Sequence, residues 1–253
     1  MNFDDLDAQM RRFETSLDQI IPAGTHIVAR LDGRGFTRLT KMQMEFERPF
    51  DERFHALMTQ TAEHLMACGF RIAYAYTQSD EISLLFERDE QTFGRNVRKV
   101  NSLLAGEASA SFSIALGQPV AFDCRLCPLP AIGDVIDYFR WRSADAYRNA
   151  LSAHCYWLLR KQGHSGKAAD AMISGMTQAE KIAFLAGHRI VFATQPGWQW
   201  AGSGFVWETY EIDGHNPVTN EAVKARRRRV ARLKVTPVDA GIDALILKLA
   251  AHE

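Results

Sequence analysis

The chain has 253 residues, enough for one large domain or two small ones, and its 47% apolar content supports a substantial core. Thirty basic and thirty acidic residues cancel, so no overall field draws the chain to nucleic acid and any such attraction is local. No segment approaches the roughly 20 apolar residues that span a bilayer, and the acidic start from Met1 to Asp7 lacks a signal peptide's basic and apolar parts, so a cytoplasmic protein with no membrane partner is expected.

Residues 1 to 20 read as a helix, with Phe3, Leu6, Met10, Phe13 and Leu17 at helical spacing, closed by Pro22 and Gly24. His26 to Arg34 is an apolar run of strand length that ends on Asp32, followed at once by Gly33. Phe36 to Pro49 reads as a polar, basic loop, with Arg38, Lys41 and Arg48 close behind Asp32. Asp51 opens a helix whose apolar face, Phe54, Leu57, Met58, Thr61, Leu65 and Met66, is core material. A second strand, Arg71 to Thr77, meets the acidic turn Gln78-Ser79-Asp80-Glu81, and a third follows over Ile82 to Phe86.

Glu90 to Gly117 reads as a long helical region, with Arg95, Arg98 and Lys99 in its first turns and small residues from Gly106 onward for close packing. Val120 to Cys127 is a strand closed by Pro128 and Pro130, and Ser143 to Lys161 is helical. Thr177 and Glu180 form a capping box for a shorter helix. Gly197 to Gly204 is a glycine and tryptophan loop. Val206 to Ile212 alternates as an exposed strand turned by Asn216-Pro217. Lys224 to Arg229 then carries five positive charges in six residues, with Arg232 and Lys234 beyond; this is either a solvated face or a phosphate contact. Cys68, Cys124, Cys127 and Cys155 are scattered, as suits a reducing compartment, and Cys124-x-x-Cys127 lacks the second close pair of a structural zinc site.

The order strand, crossover helix, strand, acidic turn, strand places consecutive strands close in one sheet. Asp32 and Asp80-Glu81 are then expected to meet at one edge. Crowded carboxylates repel and are tolerated most readily around a hard cation such as magnesium, which takes few carboxylates plus substrate phosphates. Gly33 lets its backbone approach a ligand closely. That chemistry points to phosphoryl or nucleotidyl transfer; the bland alternative is a pair of ordinary turns.

Five blocks sharpen the choice. Arg30-Leu31-Asp32-Gly33-Arg34-Gly35-Phe36, Arg48-Pro49-Phe50-Asp51-Glu52-Arg53, Ala75 to Glu81, Phe122 to Arg125 and Asp137 to Asp145 resemble, in order, the tRNA-histidine guanylyltransferase family. The resemblance implies an α+β fold with a polymerase/cyclase-like palm. It implies a ferredoxin-like sheet with helices on one face, and a smaller C-terminal α/β extension from about residue 197 within one catalytic unit over 1–253. It implies nucleotide addition to the 5′ end of tRNA in the 3′-to-5′ direction, with two magnesium ions, ATP and GTP or other nucleoside triphosphates as substrates, and a homotetramer.

Carried over by position, Asp32, Gly33 and Asp80 become metal ligands, and Asp32, Asp80 and Glu81 the catalytic carboxylates. Arg34, Gly35, Phe36, Arg48, Asp51, Ser79, Lys99 and Arg125 join Gly33 around the nucleotide, and Arg226, Arg227, Arg228 and Arg229 are the RNA contacts. The eukaryotic His-Ile-Asn-Asn-Leu-Tyr-Asn stretch is replaced here by Tyr147-Arg148-Asn149-Ala150-Leu151-Ser152-Ala153, and Gly35-Phe36-Thr37 stands where Asn-Phe-His is frequent. These departures resemble the bacterial and archaeal like-protein branch, which implies templated repair of 5′-truncated tRNA. The rival readings are a palm-type nucleotide cyclase and a non-catalytic tRNA-binding protein.

Overall fold

The computed structural model describes residues 2–40, 44–215, 222–234, 236 and 238–250. In chain order the elements are α1 (Phe3–Thr15), β1 (His26–Gly33), α2 (Phe36–Arg38), α3 (Glu52–Met66), β2 (Ile72–Gln78), β3 (Glu81–Phe86), α4 (Val97–Leu116) and β4 (Phe122–Leu129). There follow α5 (Ile132–Lys161), α6 (Gly166–Ile173), α7 (Gln178–Gly187), α8 (Gly197–Trp200), β5 (Ser203–His215), β6 (Ala222–Arg232) and α9 (Ala240–Ala250). Lys41 and the Asn216-Pro217 turn lie outside the described residues.

The strands form one sheet in the order β4-β1-β3-β2-β5-β6, with every pairing antiparallel. The run β1-α3-β2-β3-α4-β4 with spatial order β4-β1-β3-β2 is the split βαβ, or ferredoxin-like, connectivity. One expectation shifts: β1 and β2 are not direct neighbours, because β3 lies between them. Ser79, with φ of 51°, and Asp80 turn the chain so tightly that β3 folds back on β2 and presents its other edge to β1. Asp32 therefore pairs in register with Glu81.

Helices cover both faces of the sheet, not one. Strands β1 to β3 are almost continuously buried, and strands apolar on both faces need cover on both. On one side Ala29, Leu31, Ile82 and Leu84 pack with Met58, Leu65, Leu104 and Phe112 of α3 and α4. On the other, Val28, Tyr74, Tyr76 and Leu85 pack with Val135 and Phe139 of α5 and Ile242 and Ile246 of α9.

Three elements differ in extent from their sequence signals. Helix α5 begins at Ile132 and not Ser143, and runs 30 residues; its first turns mix Tyr138 and Arg142 with Val135 and Phe139, which hides the apolar face. The segment after β1 opens with α2, and Phe36 is only 2% exposed, so the loop begins in the core. Helix α1 is shorter than expected and buries none of its residues.

Candidate active site

The two strand ends that carry the acids are tied together through the backbone. Gly33 N donates to Asp80 O at 3.0 Å, and Arg34 N donates to Ala121 O at 2.9 Å. A methyl group at Gly33 would stand 2.5 Å from the Phe36 ring, so only glycine lets that ring lie against the strand end, among Phe54, Phe112 and Phe122. Gly35, at φ of 74°, starts the turn into α2, and Arg34 is exposed beside it.

Asp32 faces Glu81 across one strand pair and Asp123 across the other. Burial raises its carboxyl above the ordinary range, and the charges of Glu81 and Asp123 raise it further. Burial and the charge of Asp32 raise Asp80 in the same way, and Ser79 Oγ donates to Asp80 Oδ1 at 3.1 Å. Two half-buried carboxylates that repel each other are a ready hard-cation site. Among the described residues no three His, Cys, Asp or Glu side chains converge as a complete cage. Two carboxylates fit magnesium, which takes few protein ligands and completes its shell from substrate oxygens.

Glu81 has a different employment. Its Oε1 accepts from Arg30, and its Oε2 accepts from Arg142 Nη1 at 2.7 Å. Arg142, only 4% exposed at its side chain, also reaches Asp145 at 3.2 Å and lies 3.8 Å over the Trp141 ring. Arg148 closes the chain on Asp145. With both oxygens held by guanidiniums, Glu81 braces the β2–β3 turn and is not free as a ligand. Sequence reasoning gave Arg30 and Arg142 no role; the signal was there in the two-residue step from Arg30 to Asp32 on one strand face.

Beside Asp80 lies a cleft of about 400 Å³ lined by Phe36, Arg48, Ser79, Asn149, Trp157 and Trp198, among others. Arg48 enters it from the loop before α3, donating to Thr40 O and to Phe46 O (3.0 Å) and lying 5.2 Å over Trp157. Asp51 touches the cleft, but its carboxylate is spent on the N-cap of α3. It accepts from Arg53 N at 2.7 Å, Arg53 Nη2 at 2.7 Å and Glu47 N at 2.6 Å, and the Arg53 bonds foremost hold its pKa far below the carboxylate range. It shapes the cleft and leaves little for a nucleotide.

Arg125 stands on β4 opposite Arg30, two residues from Asp123, which it bridges at 3.3 Å, and its charge bears on Asp32. Lys99 is not brought to the acids within this chain. Ser109 Oγ of α4 receives Phe122 N at the level of Gly33, and Lys99 is ten residues back along the helix, about 15 Å. Arg226 to Arg229 lie on β6, far along the hairpin from the acids. Cys124 and Cys127 pack into opposite faces of the sheet, and burial pushes the Cys124 thiol up to about 12.

The family model described as "Thg1: tRNAHis guanylyltransferase" matches residues 7–130, and that of the "Thg1 C terminal domain" matches 133–245. The chain belongs to the tRNA(His) guanylyltransferase family. Membership makes it a nucleotidyltransferase of the 3′-5′ type. It is 30% identical to a "Probable tRNA(His) guanylyltransferase" of Mus musculus over 93% of this chain and 82% of that one. It is 29% identical to the tRNA(His) guanylyltransferase of Schizosaccharomyces pombe over 85% of each. A solved bacterial tRNA(His) guanylyltransferase-like protein in complex with ATP superposes with a TM-score of 0.70 at 25% identity, covering 95% of this chain and 99% of that one. The departure from the family's eukaryotic pattern has a place in this geometry: Asn149, Ala150, Ser152 and Ala153 line the cleft, so the altered stretch sits on its wall. Among the described residues no helix is long and apolar enough to cross a membrane.

Proposed function

We propose that this guanylyltransferase-family protein extends the 5′ end of tRNA by metal-dependent nucleotidyl transfer on a polymerase-like palm, repairing 5′-truncated molecules under the direction of the opposite strand. The observation that carries the reading is the pair Asp32 and Asp80 beside a nucleotide-sized cleft, Asp32 raised by burial and the charges of Glu81 and Asp123, and Asp80 by burial and the charge of Asp32. The β1-α3-β2-β3-α4-β4 order supports the palm, and the ATP complex of the bacterial relative supports a triphosphate in the cleft.

In the reaction proposed, a 5′-monophosphate oxygen of the RNA attacks the α-phosphorus of ATP and pyrophosphate leaves. The 3′-hydroxyl of an incoming nucleoside triphosphate then attacks the activated 5′-phosphorus and AMP leaves. Asp32 and Asp80, with the Gly33 carbonyl, would hold two magnesium ions, and bound there such ions would lower the pKa of an attacking hydroxyl and offset charge on the leaving group. The chain's own residues set the stage. Glu81, clamped by Arg30 and Arg142, fixes the turn that presents Asp80. Arg48 brings a cation to the cleft and Arg125 another to Asp32, where phosphate charge accumulates. The small side chains of Ala150, Ser152 and Ala153 leave the cleft wall open for a base.

The test uses a 5′-monophosphorylated tRNA lacking its first nucleotide, with magnesium, ATP and the four triphosphates, read at single-nucleotide resolution. Wild-type protein is expected to extend it and stop when the acceptor stem is paired. Asp80→Ala, folded by circular dichroism, should lose at least about 10³-fold in rate, on the scale of losing transition-state charge stabilisation. No extension by wild-type protein, or an active Asp80→Ala, would overturn the reading.

A further inference from the structure

A second cavity of about 440 Å³ shares Trp198 with the cleft as a wall. Its polar lining comes from Ser203, Arg232, Lys234 and Thr236. Arg232 ends β6, and its Nη2 donates to Ser203 Oγ at 2.7 Å and to His55 Nε2 at 2.8 Å. Both acceptors are neutral. Ser203 is 1% exposed, and the His55 ring stacks on Trp198 at 4.3 Å. Burial, together with the charge of Arg232, pushes His55 down to about 4, so near neutral pH its Nε2 accepts and its Nδ1 carries the proton.

An arginine fixed by neutral partners keeps its full charge, and with two N–H groups used, three of its five donors remain for an anion. Among the described residues no carboxylate pairs with Arg232. The contrast along the same strand is sharp: Arg229 is bound to Glu208 at 2.8 Å, and Arg226 approaches Glu211 at 3.7 Å. Strand alternation puts Arg228 on the face of Arg232 and turns Arg227 and Arg229 to the other. Arg228 lies 4.6 Å over the Trp207 ring, again with an aromatic and not an acid as its support. Arg228 and Arg232 are four residues apart, about 13 Å along the strand. Cations and aromatic rings in a line, leading to a cleft, are the surface that a nucleic-acid backbone follows.

We propose that Arg232, oriented by His55 and Ser203, forms with Lys234 a phosphodiester-binding subsite, and that Arg228 extends it so that an RNA strand follows this face of β6 toward the cleft. The inference deepens the reading above and rests on RNA being the substrate. A free triphosphate has the same phosphate chemistry, but a row that runs away from the cleft along the strand fits a polymer.

The experiment is equilibrium binding of a 5′-phosphorylated acceptor-stem RNA across a range of salt concentrations, with ATP binding measured in parallel. Arg232→Gln is expected to weaken RNA binding roughly five- to tenfold and to lower the slope of log affinity against log salt by about one. ATP affinity should hold. Arg232→Lys should recover most of the slope, because it keeps the charge, and Arg227→Gln should change affinity far less than Arg232→Gln. Unchanged affinity and slope in Arg232→Gln would overturn the subsite alone, as would a loss confined to ATP. RNA binding absent from wild-type protein would overturn the broader reading and the subsite with it. Should Arg232→Gln fail to fold, Lys234→Gln, at an exposed position, gives the same slope measurement.

Discussion

Arginine serves opposite ends in two regions of this molecule. At the acid edge Arg30 is half-buried and Arg142 buried, and their charge is consumed by Glu81 and Asp145. On the β5–β6 hairpin Arg228 and Arg232 are exposed and held by Trp207, His55 and Ser203, so their charge stays available. What separates an arginine spent inside the fold from one whose charge stays available is thus not exposure alone but the charge of the group that fixes it. A carboxylate partner consumes the guanidinium, whereas a ring or a hydroxyl only aims it.

The largest effect expected on the buried side comes from Arg142→Ala, which strands Glu81 with half its compensation. Breaking a buried pair from one side costs about 3–5 kcal/mol, so thermal denaturation should show a drop of that order. Replacing both partners, as Glu81→Gln with Arg142→Met, should recover much of it; a double variant as unstable as the single one would break the comparison. Gly33→Ala is next. It forces the Phe36 ring from its place and should cost about 1–3 kcal/mol, with extension activity falling more than stability, because the strand end and Asp80 move together. Equal activity in Gly33→Ala would show that the backbone there need not be close.

The smallest effect has the opposite sign. A carboxyl whose pKa is raised on folding favours the fold below its unfolded value and loses that contribution as pH rises through its folded value. Burial and Asp32 raise Asp80 in this way. Metal-free Asp80→Asn should therefore melt about 2–4 °C above wild type near neutral pH, roughly what 1 kcal/mol yields in a chain this long. Magnesium should narrow the gap, and so should acidification below the carboxyl's unfolded value, where it is protonated in folded and unfolded chain alike. Identical melting curves under all three conditions would remove the repulsion argument.

Much of this was legible in the residues. The apolar runs ending in Asp32 and Asp80 gave strands of the right extent, and the acid-bearing ends do meet. The five blocks gave the family. What the sequence hid was partnership across elements. Glu81 looks like a third catalytic acid until Arg142, sixty-one residues later, is seen to hold it. Asp51 looks like a ligand in a motif until Arg53 and Glu47 take its oxygens. Lys99 sits at a plausible sequence distance from Asp80, but the direction of α4 carries it to the other end of the sheet. In Arg226 to Arg229 the run is visible, yet the alternation that sorts its members onto two faces follows from the strand, not the count.

The hairpin's charge also bears on how copies of the chain behave toward one another. Among the described residues the sheet has two open margins, β4 and β6, and an open margin is a template on which another strand can add. Pro128 interrupts the donor pattern on β4. On β6 the run from Lys224 to Arg229 makes any like-charged strand laid alongside repel it. The same cations thus oppose growth of the sheet at this margin, and a variant stripped of them is expected to lose solubility.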